Sequence, residues 1–283
     1  MSKDMQREFA NRDELVAYLR KQFPQAAERS DRISETVGGR KAAQKALQKV
    51  DPQRYGKTRN FFTGAVTRLS PYIRYGVLTL REIREYALDR VQNLEDATKL
   101  INELGWRDYW QRLYTKMGDE IWQDQEEYKT GYTVSEYTPE LSDDIKQGTT
   151  GRVCIDSFSK QLKETGYLHN HARMWLAAYI IHWRRIRWQA GAKWFLEHLL
   201  DGDPASNNLS WQWVASTFSH KPYYFNRENL ERYTASVYCK QCPLYGDCDF
   251  EGSYEQLEQR LFPKGEFAKK PNSQSWQKGK KRR

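Results

Sequence analysis

The feature of this sequence that most constrains its fold is a series of segments with helical composition and helix-end signals. No run of alternating apolar and polar residues predicts a sheet of any size. Thr79 and Glu82 have the spacing of a capping box, which predicts a helix beginning at Leu80. Ser70 followed by Pro71 predicts another helix start, with the serine as its cap. We therefore predict an all-α fold.

The other predicted helices have helical composition or apolar residues at helical spacing, and Gly166 and Gly191 stand at two of their junctions. Apart from the helix that begins at Ser70, the predicted helices cover residues 13–20, 40–50, 80–91, 97–117, 156–165, 169–188 and 192–200. Residues 126–151 are rich in Gly, Thr, Ser and Pro and poor in apolar residues, which predicts a long loop. One helical domain is predicted over 1–262, followed by a basic disordered tail over 263–283.

The positive charge is concentrated at the C-terminal end. The net charge is +9, and residues 264–283 hold eight basic side chains against one glutamate. Most of the excess therefore belongs to the tail, and the body is nearly neutral. A near-neutral body does not require nucleic acid as a partner, whereas a flexible basic tail adds salt-sensitive affinity for it. A purely solubilising end is the alternative.

Neither a membrane span nor a secretion signal is predicted. The mean hydropathy is −0.92, and the most apolar stretch, at 174–183, is far shorter than a bilayer requires. The first eleven residues are charged and lack an apolar signal core. The expected compartment is the cytoplasm, where cysteines are more often metal ligands or free thiols than disulfides.

The four cysteines form an uneven constellation. Cys239, Cys242 and Cys248 have the pattern C-x2-C-x5-C, and Cys154 lies 85 residues before the first of them. Structural zinc usually takes its ligands as two close pairs. Three clustered thiolates with one remote thiolate fit a four-iron, four-sulfur cluster better. Zinc, or no metal, remains the alternative from spacing alone.

Two predicted helices carry polar residues on one face. Asn170, Arg173 and Met174 stand at i, i+3 and i+4 and so share a face. A buried pair or a solvated face would explain them without a function. A second stripe at such spacing consists of Glu103, Trp106, Arg107 and Trp110. There the alternative is an exposed Glu–Arg pair over packed tryptophans.

A third polar cluster occupies a glycine-containing turn. It consists of Asp201, Asp203, Asn207 and Asn208. Such residues can cap helices, and they can also bind the polar edge of a ring cofactor. Trp211 and Trp213 follow, and two residues two positions apart cannot share a helix face. They are therefore expected to have different surroundings.

These segments resemble a known family. TGYLHNHARM, INELGWRDYW and WRRIRWQAGAKWFLEHLLDGDPASNNLSWQWVAS are similar to the flavin-binding helical domain of the photolyase/cryptochrome family, and TRLSPYIRYGVLT is similar to its earlier phosphate-contacting segment. The matches keep the family's order from about Tyr55 to Thr234. The resemblance implies an all-α domain that holds FAD in a folded conformation.

Carried over position by position, the resemblance implies three sets of site residues. The FAD-contacting set is Tyr55, Thr67, Arg68, Leu69, Ser70, Arg107, Arg173, Asp201, Gly202, Asp203 and Asn207. The set facing a flipped pyrimidine dimer is Glu103, Trp106, Asn170, Met174 and Trp213. The set with catalytic roles is Trp211, Trp188, Glu103 and Asn207.

Within these sets the resemblance implies particular roles. Arg173 is expected to pair with Asp201, and Asn207 to face N5 of the flavin. Trp211 and Trp188 correspond to the innermost and middle tryptophans of an electron-donor chain. For the outermost donor, which has no clear match, the candidates are Trp122, Tyr132 and Tyr137.

A second resemblance concerns the cysteines. KPYYFNRENLERYT followed by YCKQC is similar to the C-terminal segment of bacterial iron–sulfur photolyases and cryptochromes, and Cys154 stands where their remote ligand lies. This resemblance implies a 4Fe–4S cluster held by Cys154, Cys239, Cys242 and Cys248.

The implied function is light-driven repair of cyclobutane pyrimidine dimers in DNA by an electron from reduced flavin. A cryptochrome-like photoreceptor or redox sensor is the alternative. Fewer than 55 residues precede Tyr55 in this sequence, so we expect the family's α/β antenna domain to be absent. A separate α/β chain in a two-chain assembly is therefore a further expectation.

Overall fold

The computed structural model describes residues 5–29 and 34–265. Within these ranges the fold is all-α, which confirms the predicted class, and the only β pairing is an isolated bridge between Thr138 and Ile186. The helices are α1 (Arg12–Gln22), α2 (Pro24–Arg29), α3 (Arg40–Leu47), α4 (Pro52–Thr58), α5 (Ser70–Arg74), α6 (Leu80–Asp89), α7 (Leu94–Met117), α8 (Asp143–Gln147), α9 (Val153–Thr165), α10 (Asn170–Ala178), α11 (Trp188–His198), α12 (Pro204–Ala215), α13 (Arg227–Thr234) and α14 (Tyr254–Leu261).

The chain divides into two compact units, Met1–Thr36 and Val37–Arg283. The first contains α1 and α2, and Asn11 caps α1 by accepting a hydrogen bond from the Glu14 amide at 2.9 Å. The larger unit contains every other helix. A single domain over 1–262 stays a prediction, and nearly all of the predicted basic tail lies outside the described residues.

Two apolar clusters form the core of the larger unit. One lies among α3, α5, α6 and the first half of α7, and the other is built mainly on α9 to α13. Leu100 belongs to the first cluster, whereas Trp175, on α10, is fully buried in the second. Burying such large aromatic side chains supplies much of the stabilising apolar contact. Most of the buried aromatic side chains belong to this second cluster.

The sequence predicted the first residues of α5 and α6 to within one residue. The Thr79 hydroxyl and the Glu82 side chain form the predicted capping box at the start of α6. At α5 the helix also begins where predicted, but Ser70 as its cap is wrong. Leu69 is the capping residue, and Ser70 is the first helical residue. The serine side chain bonds to Asp201 instead, so a tertiary contact replaces the expected cap.

The long helix predicted over 169–188 is wrong at its C-terminal end. The α-helix ends at Ala178, a π-helical turn follows over Tyr179–Trp183, and a new helix begins at Trp188. Arg185 adopts a left-handed conformation at φ 50°, which ends the first helix without glycine or proline. An ion pair from Arg184 to Asp144 at 2.7 Å holds this corner.

The predicted loop over 126–151 contains short helices. A single 3-10 turn covers Val134–Glu136, and Gly148, in the left-handed conformation, caps the C-terminal end of α8. The rest of the segment is irregular, as predicted. No helix in the part of the chain that the structure describes is both long and apolar enough to cross a bilayer.

Candidate functional site

One large cavity lies in the larger unit and borders the second core cluster. Its volume is about 860 Å³, which is in the range of sites that hold a whole cofactor or drug-sized ligand. Residues from α7, α10 and α12 and from the turn between α11 and α12 line it. Twelve of the predicted site residues lie in this lining: Glu103, Trp106, Arg107, Asn170, Arg173, Met174, Asp201, Gly202, Asp203, Asn207, Trp211 and Trp213.

Arg173 and Asp201 form the charge pair that the sequence predicted, and they form it at the cavity wall. Arg173 donates to both carboxylate oxygens of Asp201, at 3.0 and 2.9 Å. Burial alone would raise the Asp201 pKa, but Arg173 and a hydrogen bond from Ser70 outweigh it and hold that pKa below its ordinary value. Asp201 is therefore ionised at neutral pH and fixes the Arg173 guanidinium at the cavity wall.

Asp203 acts as both a helix cap and a wall of the cavity. It caps α12 by accepting hydrogen bonds from the amide and hydroxyl of Ser206, at 3.0 and 2.7 Å, and also accepts from Gln111 at 2.7 Å. Arg107 lies 4.0 Å from the same carboxylate. Helix capping and a place in the site, which were alternative interpretations of this turn, therefore both apply to Asp203.

The stripe on α7 faces the cavity, so its interpretation as an exposed Glu–Arg pair is wrong. Glu103 pairs with Arg59 at 3.2 Å and with Lys99 at 2.9 Å, and not with Arg107. A carboxylate has about four acceptor positions, so Glu103 retains capacity for a ligand N–H. Arg59 also donates to the Tyr55 hydroxyl at 3.3 Å, which connects Tyr55 indirectly to the cavity.

A pair of histidines stands at the start of α10. His169 caps the helix by accepting from the His171 amide at 3.2 Å, and its other ring nitrogen donates to the Arg59 carbonyl at 3.1 Å. His171 lines the cavity. Burial, His169 and Arg59 lower the pKa of His171 to about 4, so this ring is neutral at physiological pH.

Aromatic side chains surround the mouth of the cavity. Trp106 and Trp213 are exposed by 53% and 41%, although both line the cavity. Trp106 stacks on Trp110 with ring centroids 5.4 Å apart. Trp211, two residues before Trp213, is only 2% exposed, as expected for residues on different helix faces. The mouth therefore offers two large rings to a ligand, while Trp211 forms part of the inner wall.

The Trp211 ring rests directly on the backbone of Gly191 in α11. A methyl group added at Gly191 would come within 2.2 Å of Trp211 Cη2. No larger residue fits there without moving the ring. Gly191 was expected at a helix junction, and it serves instead as the contact surface for a buried tryptophan.

Gly191→Ala is therefore expected to destabilise the protein by about 2 kcal/mol, because the added methyl forces the Trp211 ring out of its packing. Thermal unfolding of the purified chain measures this effect. Gly105→Ala is the matched control, since Gly105 lies within α7 and an added methyl meets no atom within 4 Å. That change should stabilise by up to about 1 kcal/mol. Equal effects of both variants would contradict the Trp211 contact.

Trp188 lies outside the cavity, fully buried at the first residue of α11. Its ring is parallel to that of Trp122, with 6.3 Å between centroids and 8° between planes. Tyr132 and Tyr137 instead contact Arg185, with its guanidinium carbon 3.6 and 5.9 Å from the two ring centroids. Of the three candidates for an outermost donor, Trp122 is thus the one that stacks on Trp188.

The remaining predicted cofactor contacts are not part of the cavity lining. Ser70 reaches it through Asp201, and Arg68 covers the Tyr167 ring at 4.8 Å. Thr67 accepts a hydrogen bond from the Leu69 amide at 3.3 Å. The Leu69 side chain is buried in the first core cluster, so only its backbone is free to contact a ligand.

The four cysteines line a second, smaller cavity. Cys154, on α9, meets Cys239, Cys242 and Cys248 there, and all four are free thiols. Burial raises the Cys154 pKa, and the other three thiols raise it further. Burial likewise raises the Cys239 pKa to about 12. Within residues 5–29 and 34–265 no three His, Cys, Asp or Glu side chains are arranged as ligands of a single ion.

Several residues that line the large cavity were not among the predicted site residues. Trp110 stood in the recognised stripe on α7 but was not assigned a role. Arg59 follows Tyr55 by one helical turn, which is a signal that sequence reasoning could have used. Phe218 and His220 lie in the irregular segment after α12. That segment has no helical repeat from which the direction of a side chain could be predicted.

Fold and site together define a helical cofactor-binding domain: an all-α body around one cavity with ionised walls, an aromatic mouth and a buried tryptophan. A family model described as the FAD binding domain of DNA photolyase matches residues 100–242. The match covers half of the chain, and the chain belongs to this family.

Curated relatives agree with this assignment. The chain is 32% identical over 153 residues to a deoxyribodipyrimidine photo-lyase of Streptomyces griseus, covering 54% of this chain and 32% of that protein. It is 34% identical over 195 residues to a cryptochrome DASH, chloroplastic/mitochondrial, of Solanum lycopersicum, covering 63% of this chain and 33% of that protein. The chain thus spans about a third of the length of these relatives.

A solved structure has the same fold. The bacterial class III photolyase of Agrobacterium tumefaciens superposes with a TM-score of 0.64 at 21% identity, covering 81% of this chain and 56% of that one.

Proposed function

We propose that this chain binds FAD in the large cavity and uses light to repair cyclobutane pyrimidine dimers in DNA. The observation that supports this most strongly is the convergence of two predicted sets of residues on one cavity. Arg173, Asp201 and Asn207 belong to the cofactor set, and Trp106 and Trp213 to the lesion set. The names of the relatives support the same reaction.

The cavity residues fit a flavin cofactor by their chemistry. Asn207 donates its amide hydrogens to the Ala192 carbonyl at 3.0 Å and to Asn208 Oδ1 at 3.1 Å. Its own Oδ1 is thereby left to accept a hydrogen bond from a ring N–H. Arg107 and Arg173 supply positive charge for the anionic parts of the cofactor. When bound and reduced, FAD supplies the light-driven electron that splits the dimer.

The protein's own part is to bind and orient the lesion. Trp106 and Trp213 stack on the rings of a flipped dimer, which favours extrusion from the duplex. Glu103 accepts a hydrogen bond from a pyrimidine N–H, because Arg59 and Lys99 occupy only part of its acceptor capacity.

Asn170 and Met174 contribute a polar and a polarisable contact beside these rings. The Asn170 amide donates to the Met174 sulfur at 3.3 Å. This contact keeps the two side chains together on the face of α10 that lines the cavity. They are therefore held in place before a lesion enters.

We further propose that Cys154, Cys239, Cys242 and Cys248 hold a 4Fe–4S cluster. The support is chemical: four thiols, none in a disulfide, around one cavity match the four thiolates such a cluster takes. Because burial raises the pKa of Cys154 and Cys239, metal binding must release the protons of these two thiols. Four free thiols also agree with a reducing cytoplasm. The separate α/β partner chain remains a prediction.

The test uses the full chain, reduced under anaerobic conditions, with an oligonucleotide carrying one cyclobutane dimer. We expect illumination, and not darkness, to restore the intact pyrimidines. Trp106→Ala combined with Trp213→Ala should weaken binding of this oligonucleotide by at least about 30-fold, since stacking contributes on the order of 1–3 kcal/mol per base and two stacking rings are removed.

Tyr75→Ala is the matched control for this binding measurement. Tyr75 is 70% exposed and lies outside the cavity lining, so its loss should leave the affinity unchanged. No light-dependent restoration by a protein that contains reduced FAD would contradict the proposed repair.

The alternative function is a photoreceptor or redox sensor that repairs nothing. The burial of Trp211 and Trp188 favours it, because photoreduction of a flavin needs electron-donating tryptophans inside the protein and no lesion contacts. Photoreduction without repair would support this alternative.

A further inference from the structure

The buried tryptophan at the start of α11 has a charged hydrogen-bond partner. Trp188 Nε1 donates to Asp124 Oδ1 at 2.6 Å. Gln189 donates to the same oxygen at 3.1 Å and to the Trp122 carbonyl at 3.3 Å. The carboxylate is thus held against the indole N–H by a second side chain. Nothing about the fold requires a carboxylate here, since a neutral acceptor would satisfy the same N–H.

The surroundings of Trp188 place it between two other tryptophans. Trp188 and Gly191 are three positions apart and share a face of α11, and the Trp211 ring rests on Gly191. On the other side the Trp122 ring stacks on Trp188. From these contacts we infer the order Trp211, Trp188, Trp122 from the cavity outward.

The two outer rings have opposite electrostatic surroundings. Asp124 places a negative charge at Trp188, whereas the Lys193 ammonium lies 5.8 Å over the Trp122 ring. A positive charge on an oxidised ring is stabilised by the carboxylate and destabilised by the ammonium. This arrangement favours oxidation of Trp188 over oxidation of Trp122.

The geometry points to Asp124 as a positioning residue and proton acceptor for Trp188 during photoreduction, an inference that rests on the proposed flavin function. One electron passes from Trp188 through Trp211 to light-excited oxidised FAD. The Trp188 Nε1–H bond then breaks, and the proton forms a new O–H bond on Asp124 Oδ1. Trp188 is oxidised by one electron and becomes neutral, so the positive charge does not move on to Trp122. Loss of the proton slows the return of the electron.

Asp124→Asn tests this role, because the amide keeps an acceptor oxygen and removes both the charge and the basicity. We expect stable photoreduction to slow by roughly tenfold, the size expected for losing a charge-assisted hydrogen bond. Transient absorption should show the protonated tryptophan radical in place of the neutral one. Asp124→Glu keeps the carboxylate and should restore most of the wild-type rate.

Glu127→Gln is the matched control. It removes an exposed carboxylate three residues further along the same segment and should leave the rate and the radical spectrum unchanged. Reduction with dithionite should proceed equally in all variants, since it bypasses the tryptophans.

A second measurement does not depend on flavin. In a nitrogen–proton NMR spectrum of the chain without cofactor, the indole N–H of Trp188, assigned with Trp188→Phe, should lie downfield of a water-exposed indole. It should move upfield in Asp124→Asn.

The outcomes separate this inference from the proposed function. A flavin-containing Asp124→Asn variant that photoreduces at the wild-type rate through a neutral tryptophan radical overturns the role of Asp124 alone. An unshifted indole resonance in that variant also overturns it. A chain that retains no flavin overturns the proposed function, and the redox role of Asp124 with it.

Discussion

Asp201→Asn is expected to abolish retention of FAD during purification and to lower the free energy of unfolding by about 3 kcal/mol. Asp201 is buried and accepts two hydrogen bonds from Arg173. Removing one partner of such a pair leaves the other charge uncompensated, which costs about 3–5 kcal/mol when both are buried. The Arg173 side chain is 25% exposed, so the lower end of that range applies. Denaturant unfolding and the flavin content of the purified protein measure the two effects.

The control for this substitution is an ion pair of similar chemistry on the surface. Asp108 accepts from Arg112 at 2.7 Å one turn along α7, and both side chains are at least half exposed. Exposed pairs contribute about 0–1 kcal/mol, so Asp108→Asn should change stability only slightly and leave the flavin content intact. Full flavin occupancy in Asp201→Asn would refute the role given to this pair.

The same pair predicts a pH dependence. The pKa of Asp201 lies below its ordinary value because Arg173 and Ser70 outweigh the effect of burial. A lowered folded pKa stabilises the protein above the ordinary carboxyl value, about 3.9, and this stabilisation is lost as the pH falls through the folded pKa. The stability difference between wild type and Asp201→Asn should therefore be largest near neutral pH and shrink below about pH 4. A constant difference across this range would contradict the assignment.

Cys154→Ser is the second change with a large expected effect. If the four thiols hold one cluster, the purified variant should contain almost no iron or acid-labile sulfide, against about four of each per chain in the wild type. Cys154 lies 85 residues before Cys239, so the cluster would close a long loop. Loss of that link should cost about 4 kcal/mol of stability, by analogy with a cross-link of this length.

Iron and sulfide assays on anaerobically purified protein, together with thermal unfolding, measure both effects. Ser157→Ala, on the same helix and outside the cysteine-lined cavity, is the matched control and should retain full iron. A wild-type protein with zinc in place of iron would contradict the cluster while leaving the large cavity and its FAD unaffected.

Helix faces were predictable because they depend on residues that are close in sequence. Asn170, Arg173 and Met174 share a face through their spacing alone, and all three line the cavity. The capping box at Thr79 is equally local. The helical repeat of 3.6 residues determines which side chains share a face, and a capping box joins residues only three positions apart. Both are therefore set before any tertiary contact forms.

Helix ends were less predictable where tertiary contacts set them. The chain turns between Ala178 and Trp188 although the sequence there has neither glycine nor proline. The turn is held by the Arg184–Asp144 ion pair and by the Thr138–Ile186 bridge. Partners this far apart in sequence leave no periodic signal, so local patterns predicted an uninterrupted helix.

The sequence by itself determined the all-α class, the polar and aromatic helix faces and the residues that gather around the large cavity. Only the tertiary structure decided which partners those residues meet: Glu103 with Arg59, Trp211 with Gly191, and Asp124 with Trp188. The physical reason is that the spacing of residues along a helix sets the directions of side chains around that helix only. Distances between helices depend on how their side chains pack, and packing is set by the whole core at once.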